Sequence, residues 1–307
     1  MLAAAIPFPD ISPELFSISL GSFTFALRWY ALAYIAGILL GWALAVRTVK
    51  RAALWPGDTA AMTPAQIEGL MTWIILGIVL GGRLGYVLFY QPVYYLQHPA
   101  EILQLWHGGM SFHGGFLGVL VGGVVFCWRH KIPMAQAGDL MALCTPPGLL
   151  LGRVANFVNA ELWGRPSDAP WAVIFPGDLA QACFGPEGIV QLGGQLLCAR
   201  HPSQLYEAAL EGLVLGLLLI WLVWRRGALK RPGQIMGAFV MGYGIARMIV
   251  EVFRQADPQF ITADNPLGHV ISLTPAIGLS MGQLLSLPMV LAGLAIVLIA
   301  RTRTRAA

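Results

Sequence analysis

Long apolar stretches alternate with short polar segments along the whole chain. A membrane-spanning helix needs about 20 mainly apolar residues, and seven stretches are close to that length. The pattern therefore predicts an all-α membrane protein with seven transmembrane helices. The predicted spans are 25–46, 71–90, 108–128, 134–152, 204–224, 234–254 and 280–300. The fourth is the least regular, because Pro146 and Pro147 interrupt it and Asp139 lies near its start.

Basic residues indicate the orientation of these spans. Cytoplasmic loops are enriched in Lys and Arg, and twelve basic residues would lie on one side of the membrane if seven spans alternate. They are Arg47, Lys50, Arg51, Arg129, Lys131, Arg225, Arg226, Lys230, Arg231, Arg301, Arg303 and Arg305. The N-terminus is thus predicted to be periplasmic and the C-terminus cytoplasmic. Residues 153–203 become a periplasmic loop region within a single polytopic domain, 1–307.

Composition supports the membrane class and narrows the chemistry. Hydrophobic residues make up 57% of the chain and charged residues 11%, against about 25% charged in soluble domains. The early prolines and the absence of a basic leading segment argue against a cleavable signal peptide. The four cysteines lack metal-site spacing, so a metal site is not expected. No other cofactor is expected either. The expected partner is a lipid bilayer, and nucleic acid is not expected.

The other seven basic residues are all arginines in the predicted outer half of the protein. They are Arg28, Arg83, Arg153, Arg165, Arg200, Arg247 and Arg254. Positive charge should be scarce on that side, and an arginine near a helix centre costs about 2.5–3.5 kcal/mol on insertion scales. A guanidinium binds phosphate through two parallel hydrogen bonds, which lysine cannot do. The pattern predicts an anionic ligand at the level of the outer headgroups.

A glycine-rich segment opens the third span and carries a histidine. Gly108 and Gly109 precede His113, which lies between Phe112 and Gly114. A helix start offers unpaired N–H groups that suit phosphate, so both glycines are candidate lipid-binding positions, as is Arg83. His113 is a candidate general base, because imidazole titrates near neutral pH. The alternative is a structural histidine in a helix-capping segment.

The densest polar cluster follows the fourth span. Arg153, Asn156 and Asn159 have i, i+3, i+6 spacing and would share one helix face. Glu161 and Gly164 follow directly. The cluster predicts a phosphate clamp with two amides and a carboxylate at the membrane boundary.

Four further positions are candidates, and all of them except Tyr30 have two interpretations. Glu207 is a candidate lipid-binding residue or a capping-box carboxylate behind Ser203. Arg247 and Glu251 have i, i+4 spacing, which fits a self-neutralising pair or part of a substrate path. Tyr30 lies just inside the first span, where its hydroxyl needs a partner.

Seven strings resemble the prolipoprotein diacylglyceryl transferase family, in the family's order and over most of the chain. They are RWY at 28–30, GGRLGYVLFY at 81–90, GGMSFHGG at 108–115, GRVANFVNAELWGR at 152–165, RHPSQLYE at 200–207, YGIARMIVEVFRQAD at 243–257 and SMGQLLSLP at 280–288. The 152–165 string is the most specific. Residues 168–198 and 258–279 depart from the pattern, which leaves those loops without assignment.

The resemblance implies a reaction and a set of site residues. The family transfers the diacylglyceryl group of phosphatidylglycerol to the lipobox cysteine of a prolipoprotein signal peptide, and glycerol phosphate is released. Arg153 and Arg247 match its phospholipid-handling arginines. The other functionally important positions matched are Tyr30, His113, Asn156, Glu161, Gly164 and Glu251. The resemblance also implies a location in the bacterial inner membrane, with the active site facing the periplasm.

Two other function classes remain open. Another outer-leaflet phospholipid transferase or phosphatase would usually carry metal-binding aspartates or paired histidines, which the sequence lacks. An anionic-substrate transporter would show an inverted repeat and polar groups beyond the outer half. A disulfide between Cys183 and Cys198 is also left open, whereas Cys127 and Cys144 are expected to be packing residues.

Overall fold

The computed structural model describes residues 5–21, 23–183, 186–262, 264–274 and 277–306. The chain divides into two compact units. Unit 1 comprises Met1–Gly41 and Ala142–Ala307, and unit 2 comprises Trp42–Met141. The single-domain interpretation stays a prediction.

Helices account for most of both units. In chain order the α-helices are α1 (Trp29–Val49), α2 (Pro64–Phe89), α3 (Pro92–Gln97), α4 (Phe112–Arg129), α5 (Met134–Cys144), α6 (Pro146–Val158), α7 (Asp178–Gln181), α8 (Ser203–Glu207), α9 (Leu215–Arg226), α10 (Gln234–Val250) and α11 (Met281–Ala306). A π-helical segment, Ala208–Val214, joins α8 to α9. Short 3-10 turns lie at Ala52–Leu54, Pro56–Asp58, Pro99–Leu103, Leu105–His107, Ala228–Lys230 and Pro258–Phe260.

Within the described part of the chain, six helices are long and apolar enough to cross a membrane. They are Trp29–Val49, Pro64–Phe89, Phe112–Arg129, Met134–Val158, Ser203–Arg226 and Met281–Thr302. The predicted sixth span corresponds to α10, which is apolar but has only 17 residues. The irregularity predicted for the fourth span is present, because α5 ends at Cys144 and Pro146 starts α6.

The all-α prediction is wrong in detail, because unit 1 also contains small sheets. The strands are β1 (Ile6–Pro7), β2 (Glu14–Leu20), β3 (Phe23–Arg28), β4 (Val173–Ile174), β5 (Ile189–Leu192), β6 (Gln195–Cys198), β7 (Ile271–Thr274) and β8 (Ile277–Leu279). β1 pairs in parallel with β4, and β2–β3, β5–β6 and β7–β8 are antiparallel hairpins. The first span consequently begins at Trp29, since residues 25–28 belong to β3.

A disulfide and a glycine turn shape the segment before α8. Leu192 pairs with Gln195, so Gly193 and Gly194 form a two-residue turn with φ of 59° and 82°, a conformation that favours glycine. Cys198, at the end of β6, is disulfide-bonded to Cys183 across a Cα–Cα distance of 5.6 Å. The structure therefore resolves the question that the sequence left open. Cys127 and Cys144 are free cysteines, buried and half-buried respectively.

Glycines bring α2 and α4 of unit 2 into backbone contact. Gly77, Gly81 and Gly85 repeat every four residues along α2 and meet Gly114 and Gly118 of α4. A Cβ on Gly85 would lie 2.7 Å from the Gly114 Cα, which is closer than side chains approach. Such small-residue stripes let membrane helices pack at short distance. They fix the start of α4, which carries His113, against the C-terminal half of α2.

Candidate functional site

The carboxylate of Glu207 is the centre of a cluster of arginines in unit 1. Glu207 ends α8 and is 1% exposed. Arg153 Nε lies 2.7 Å from its Oε2 atom, while Arg247 Nη1 and Arg254 Nη1 lie 3.1 and 2.7 Å from Oε1. One buried carboxylate thus holds guanidinium groups from α6, from α10 and from the turn after α10.

A second carboxylate, Glu251, supports two of the same arginines. Its Oε2 atom lies 3.0 Å from Arg247 Nε and 3.7 Å from Arg254 Nε. The carboxylate packs against Gly282, the second residue of α11, where a Cβ would overlap it. The partial positive charge of a helix start favours a carboxylate there. This contact links the 280–288 string to the arginine cluster.

The cluster carries a net positive charge. Three guanidinium groups face two carboxylates, which leaves one positive charge to be matched by an anion. Glu211 lies one turn beyond Glu207 and is fully buried, and its oxygens lack a hydrogen-bond partner within the described residues. Glu211 forms none of the ion pairs found among the described residues, so the balance above does not include it.

Polar side chains extend the cluster from Arg153 toward α1. Arg153 Nη1 donates to Asn156 Oδ1 at 3.5 Å, and Asn156 Nδ2 donates to Glu161 Oε1 at 2.7 Å. The Tyr30 hydroxyl, which was predicted to need a hydrogen-bond partner, lies 3.3 Å from the Tyr34 hydroxyl. Tyr34 in turn interacts electrostatically with Arg153 and Glu161. The predicted residues Tyr30, Arg153, Asn156 and Glu161 therefore belong to one neighbourhood.

The two remaining predicted positions of the 152–165 string have different surroundings. Asn159 follows the end of α6, and its Oδ1 atom is buried without a hydrogen-bond partner among the described residues. Gly164 donates its N–H to the His201 carbonyl at 2.9 Å, and a Cβ there would overlap the Phe253 carbonyl. Asn159 thus keeps a free acceptor, whereas Gly164 allows close backbone packing.

The capping interpretation of Glu207 is wrong. Helix α8 begins at Ser203 itself, and the Ser203 hydroxyl donates to the Leu162 carbonyl at 3.1 Å instead of accepting from the helix. Gln204 Nε2 donates to the Glu161 carbonyl at 2.6 Å. Both contacts hold residues 161–162 against α8, which leaves Glu207 free to bind the arginines. The Arg247–Glu251 pair is present as predicted, but both members also contact other charged groups.

Arg200 and Arg165 anchor the loop that follows the cluster. Arg200 is 1% exposed, stacks 4.1 Å from the Trp163 ring centre, and donates to the Ala180, Ala182 and Gly164 carbonyls. Burial lowers the pKa of Arg200 to about 10. Arg165 donates to the carbonyls of residues 254 and 267, and burial lowers its pKa as well. Both arginines bind main-chain carbonyls, so a position in the predicted outer half is not enough to identify an arginine as a ligand-binding residue.

His201 is a second histidine near this loop. Its Nδ1 atom lies 3.0 Å from the Tyr206 hydroxyl. Burial, together with the nearby Arg165 charge, lowers the pKa of His201. The neutral imidazole therefore fits a structural role between Tyr206 and Phe253, whose ring centre lies 5.1 Å away.

Four of the predicted site residues belong to unit 2. His113 is the second residue of α4 and is exposed, with Phe112 stacked edge-on at 5.7 Å. Gly108 and Gly109 both have φ of 79°. Arg83 is buried and donates to five main-chain carbonyls. The arrangement does not support Arg83 as a phosphate ligand, because each of its N–H groups is already used.

Glu211 and Gly282 were not predicted from the sequence as members of the cluster, and Arg254 was predicted only as one of seven arginines in the outer half. Helical spacing contained a signal for two of them. Arg254 lies three residues after Glu251, and Glu211 lies four residues after Glu207, so each shares a face with its neighbour. Gly282 gave no signal, because its contact with Glu251 joins distant parts of the chain. Among the described residues, no group of three or more His, Cys, Asp and Glu side chains could hold a metal.

Comparison with known proteins gives a consistent family. The sequence profile of the prolipoprotein diacylglyceryl transferase family matches residues 14–299. A protein of Ruegeria pomeroyi named phosphatidylglycerol–prolipoprotein diacylglyceryl transferase is 64% identical over 300 residues, covering 98% of this chain and 99% of the relative. Proteins with the same name from Roseobacter denitrificans and Rhizobium meliloti are 62% and 47% identical, covering 98% and 99% of this chain and 99% and 96% of their own.

Replacing Glu207 with glutamine should destabilise the protein strongly. Removing one partner of a buried ion pair costs about 3–5 kcal/mol, because the other charge stays buried without compensation, and here three arginines lose their shared carboxylate. Thermal unfolding in detergent micelles measures the loss. The matched control is Glu14→Gln, since Glu14 pairs with the exposed Arg28 and should matter little. Equal melting temperatures for Glu207→Gln and the control would contradict the central role of Glu207.

Proposed function

The chain belongs to the prolipoprotein diacylglyceryl transferase family, and on this basis we propose that its arginine cluster binds phosphatidylglycerol for transfer to a prolipoprotein cysteine. The net positive charge of the cluster carries the proposal. A phosphodiester has one negative charge, which matches the one positive charge left by Arg153, Arg247 and Arg254 against Glu207 and Glu251. The reaction then proceeds without a cofactor.

Arg153 and Arg247 are the proposed phosphate ligands. Each is about one-fifth exposed, so part of each guanidinium remains reachable after its contacts with Glu207. Fixed guanidinium groups stabilise the charge that grows on the phosphate as the ester bond breaks. Asn156, Asn159, Glu161 and Tyr30 supply hydrogen-bonding groups for the glycerol hydroxyls of the headgroup.

The proposed chemical step is a displacement at carbon. The cysteine thiol at the lipobox of the signal peptide loses its proton, and its sulfur forms a bond to the glyceride sn-3 carbon. The bond between that carbon and the phosphate oxygen breaks, and glycerol phosphate leaves with the electron pair. We assign His113 as the base that takes the thiol proton, because a neutral imidazole accepts protons near neutral pH. Gly108 and Gly109 lie beside it in the sequence and are proposed to admit the headgroup.

The proposed topology has seven spans with a periplasmic N-terminus. Helix α10 alone would span about 26 Å at 1.5 Å per residue, against a hydrocarbon core of about 30 Å. Backbone hydrogen bonds from residues 251, 253 and 254 back to residues 247 and 250 continue the turn to Arg254. That extension supports α10 as a full span over the predicted range 234–254, which brings the number of spans to seven. The cluster then lies on the periplasmic side of the inner membrane.

Reporter fusions test this topology. Fusions after Arg51, His130 and Arg231 should report the cytoplasm, because the basic residues nearby stay inside. A fusion near Asp178 should report the periplasm. A cytoplasmic signal at Asp178 would contradict both the seven spans and the periplasmic site.

Replacing Arg153 with lysine should abolish most of the transferase activity although the charge is kept. Lysine cannot bind Glu207 and Asn156 and still present a planar pair of donors to phosphate. We expect a loss of about 10²–10³-fold in kcat/KM, the range found when one transition-state donor is removed. The assay follows transfer from phosphatidylglycerol vesicles to a lipobox peptide.

The matched control for this substitution is Arg28→Lys. The Arg28 side chain is 66% exposed and contacts only the surface carboxylate of Glu14 among the ion pairs found. The Arg28→Lys variant should therefore retain nearly normal transferase activity. Near-normal activity of Arg153→Lys as well would show that charge alone matters and would contradict the proposed bidentate contact.

The role of His113 is tested by a pH profile. A free thiol has a pKa of about 8.5, so at neutral pH the reaction depends on a base, and such help is typically worth about 10²–10⁴-fold. His113→Gln should be slow at neutral pH and recover as the pH rises and the thiol ionises unaided. A variant that is equally inactive at every pH would assign His113 to binding or structure.

A further inference from the structure

Arg83 of α2 makes an unusually complete set of hydrogen bonds for an arginine inside a predicted membrane span. It is 4% exposed. Its Nε donates to the Ile102 carbonyl at 2.8 Å, and its Nη2 donates to the carbonyls of residues 101 and 104 at 2.6 and 3.3 Å. A guanidinium has five N–H groups, and these three contacts account for three of them.

The other two N–H groups bind the glycine pair that precedes α4. Arg83 Nη1 donates to the Gly108 carbonyl at 2.6 Å and to the Gly109 carbonyl at 3.2 Å. The ring centre of Tyr95 lies 5.1 Å from the guanidinium carbon. All donors of Arg83 are therefore used on main-chain carbonyls of residues 101–109.

The chain continues from these glycines directly into the first turn of α4. A Cβ on Gly109 would lie 2.6 Å from the Tyr86 ring and 2.9 Å from Arg83 Nη1, so glycine is required for the contact. Ser111 donates its N–H to the Gly82 carbonyl at 2.8 Å, and its hydroxyl accepts from Gly114 at 3.2 Å. Arg83 and Gly82 therefore hold the backbone of residues 108–111 by hydrogen bonds, and Ser111 lies two residues before His113.

We propose that Arg83 is a positioning residue that folds residues 101–111 and so fixes the helix start that presents His113. The inference rests on the proposed function only for the role of His113. The folding of the segment stands on the hydrogen bonds alone. Lysine cannot replace arginine here, because one ammonium has three N–H groups and no planar fork to span carbonyls from Glu101 to Gly109.

Amide hydrogen exchange of the full-length protein in nanodiscs tests the folding role without reference to activity. Arg83→Lys and Arg83→Gln should raise the exchange rates of the Gln104, Gly108 and Ser111 amides at least tenfold, since these amides close the folded turns. Amides inside α2 and α4 should exchange as in the wild type. Arg129→Gln is the control, because Arg129 is exposed at the other end of α4.

A second variant separates local from general effects. Tyr95→Leu removes the ring under the guanidinium but leaves its hydrogen-bond donors, so a smaller increase confined to residues 101–111 is expected. Unchanged exchange in both Arg83 variants would overturn the proposal. Faster exchange throughout α2 and α4 would also overturn it, because Arg83 would then stabilise the helices in general.

Kinetics separate positioning from phosphate binding. Arg83→Lys should lower kcat at least tenfold and leave KM for phosphatidylglycerol within twofold. In a His113→Gln background, Arg83→Lys should add less than a twofold loss, because the group it positions is already absent. A tenfold rise in KM with normal exchange would instead make Arg83 a phosphate ligand and overturn the proposal. Absence of transfer by the wild type would refute the proposed function, while the exchange rates would still decide the role of Arg83.

Discussion

The buried carboxylate of Glu207 is the constraint on which the rest of the candidate site depends. Three arginines from separate parts of unit 1 cannot be brought together in an apolar environment without an anion to offset their repulsion. Glu207 supplies that anion at distances of 2.7–3.1 Å. Glu251 adds a second carboxylate, which leaves the cluster one positive charge. That residual charge suits a phosphodiester headgroup, whereas a fully neutral cluster would not attract one.

Glycines and further arginines pack around the cluster without pairing with its carboxylates. Gly282 leaves room for the Glu251 carboxylate, and Gly164 lets the chain pass close to Phe253. Arg200 and Arg165 hold the surrounding loop by binding its carbonyls. Similar side chains therefore serve two purposes in this protein. Arginines that contact carboxylates remain partly open to a ligand, and arginines that contact backbone carbonyls organise loops.

The sequence predicted what depends on local pattern and missed what depends on distant contacts. The apolar stretches located the long helices, although β3 displaced the start of α1 and α10 is shorter than predicted. The 152–165 string correctly grouped Arg153 with Asn156 and Glu161, because helical spacing places the first two on one face. Placement in the outer half could not distinguish Arg83 from Arg153, since only three-dimensional contacts show which guanidinium is already saturated. The shared contacts of Glu207 also join residues 40 or more positions apart, beyond any local pattern.

The most direct test of this account is a cryo-electron microscopy structure of the protein in nanodiscs that contain phosphatidylglycerol. The account predicts phosphate density within hydrogen-bond distance of Arg153 and Arg247, with both arginines still in contact with Glu207. Phosphate density bound elsewhere, with the arginine cluster closed on its own carboxylates, would contradict the central claim.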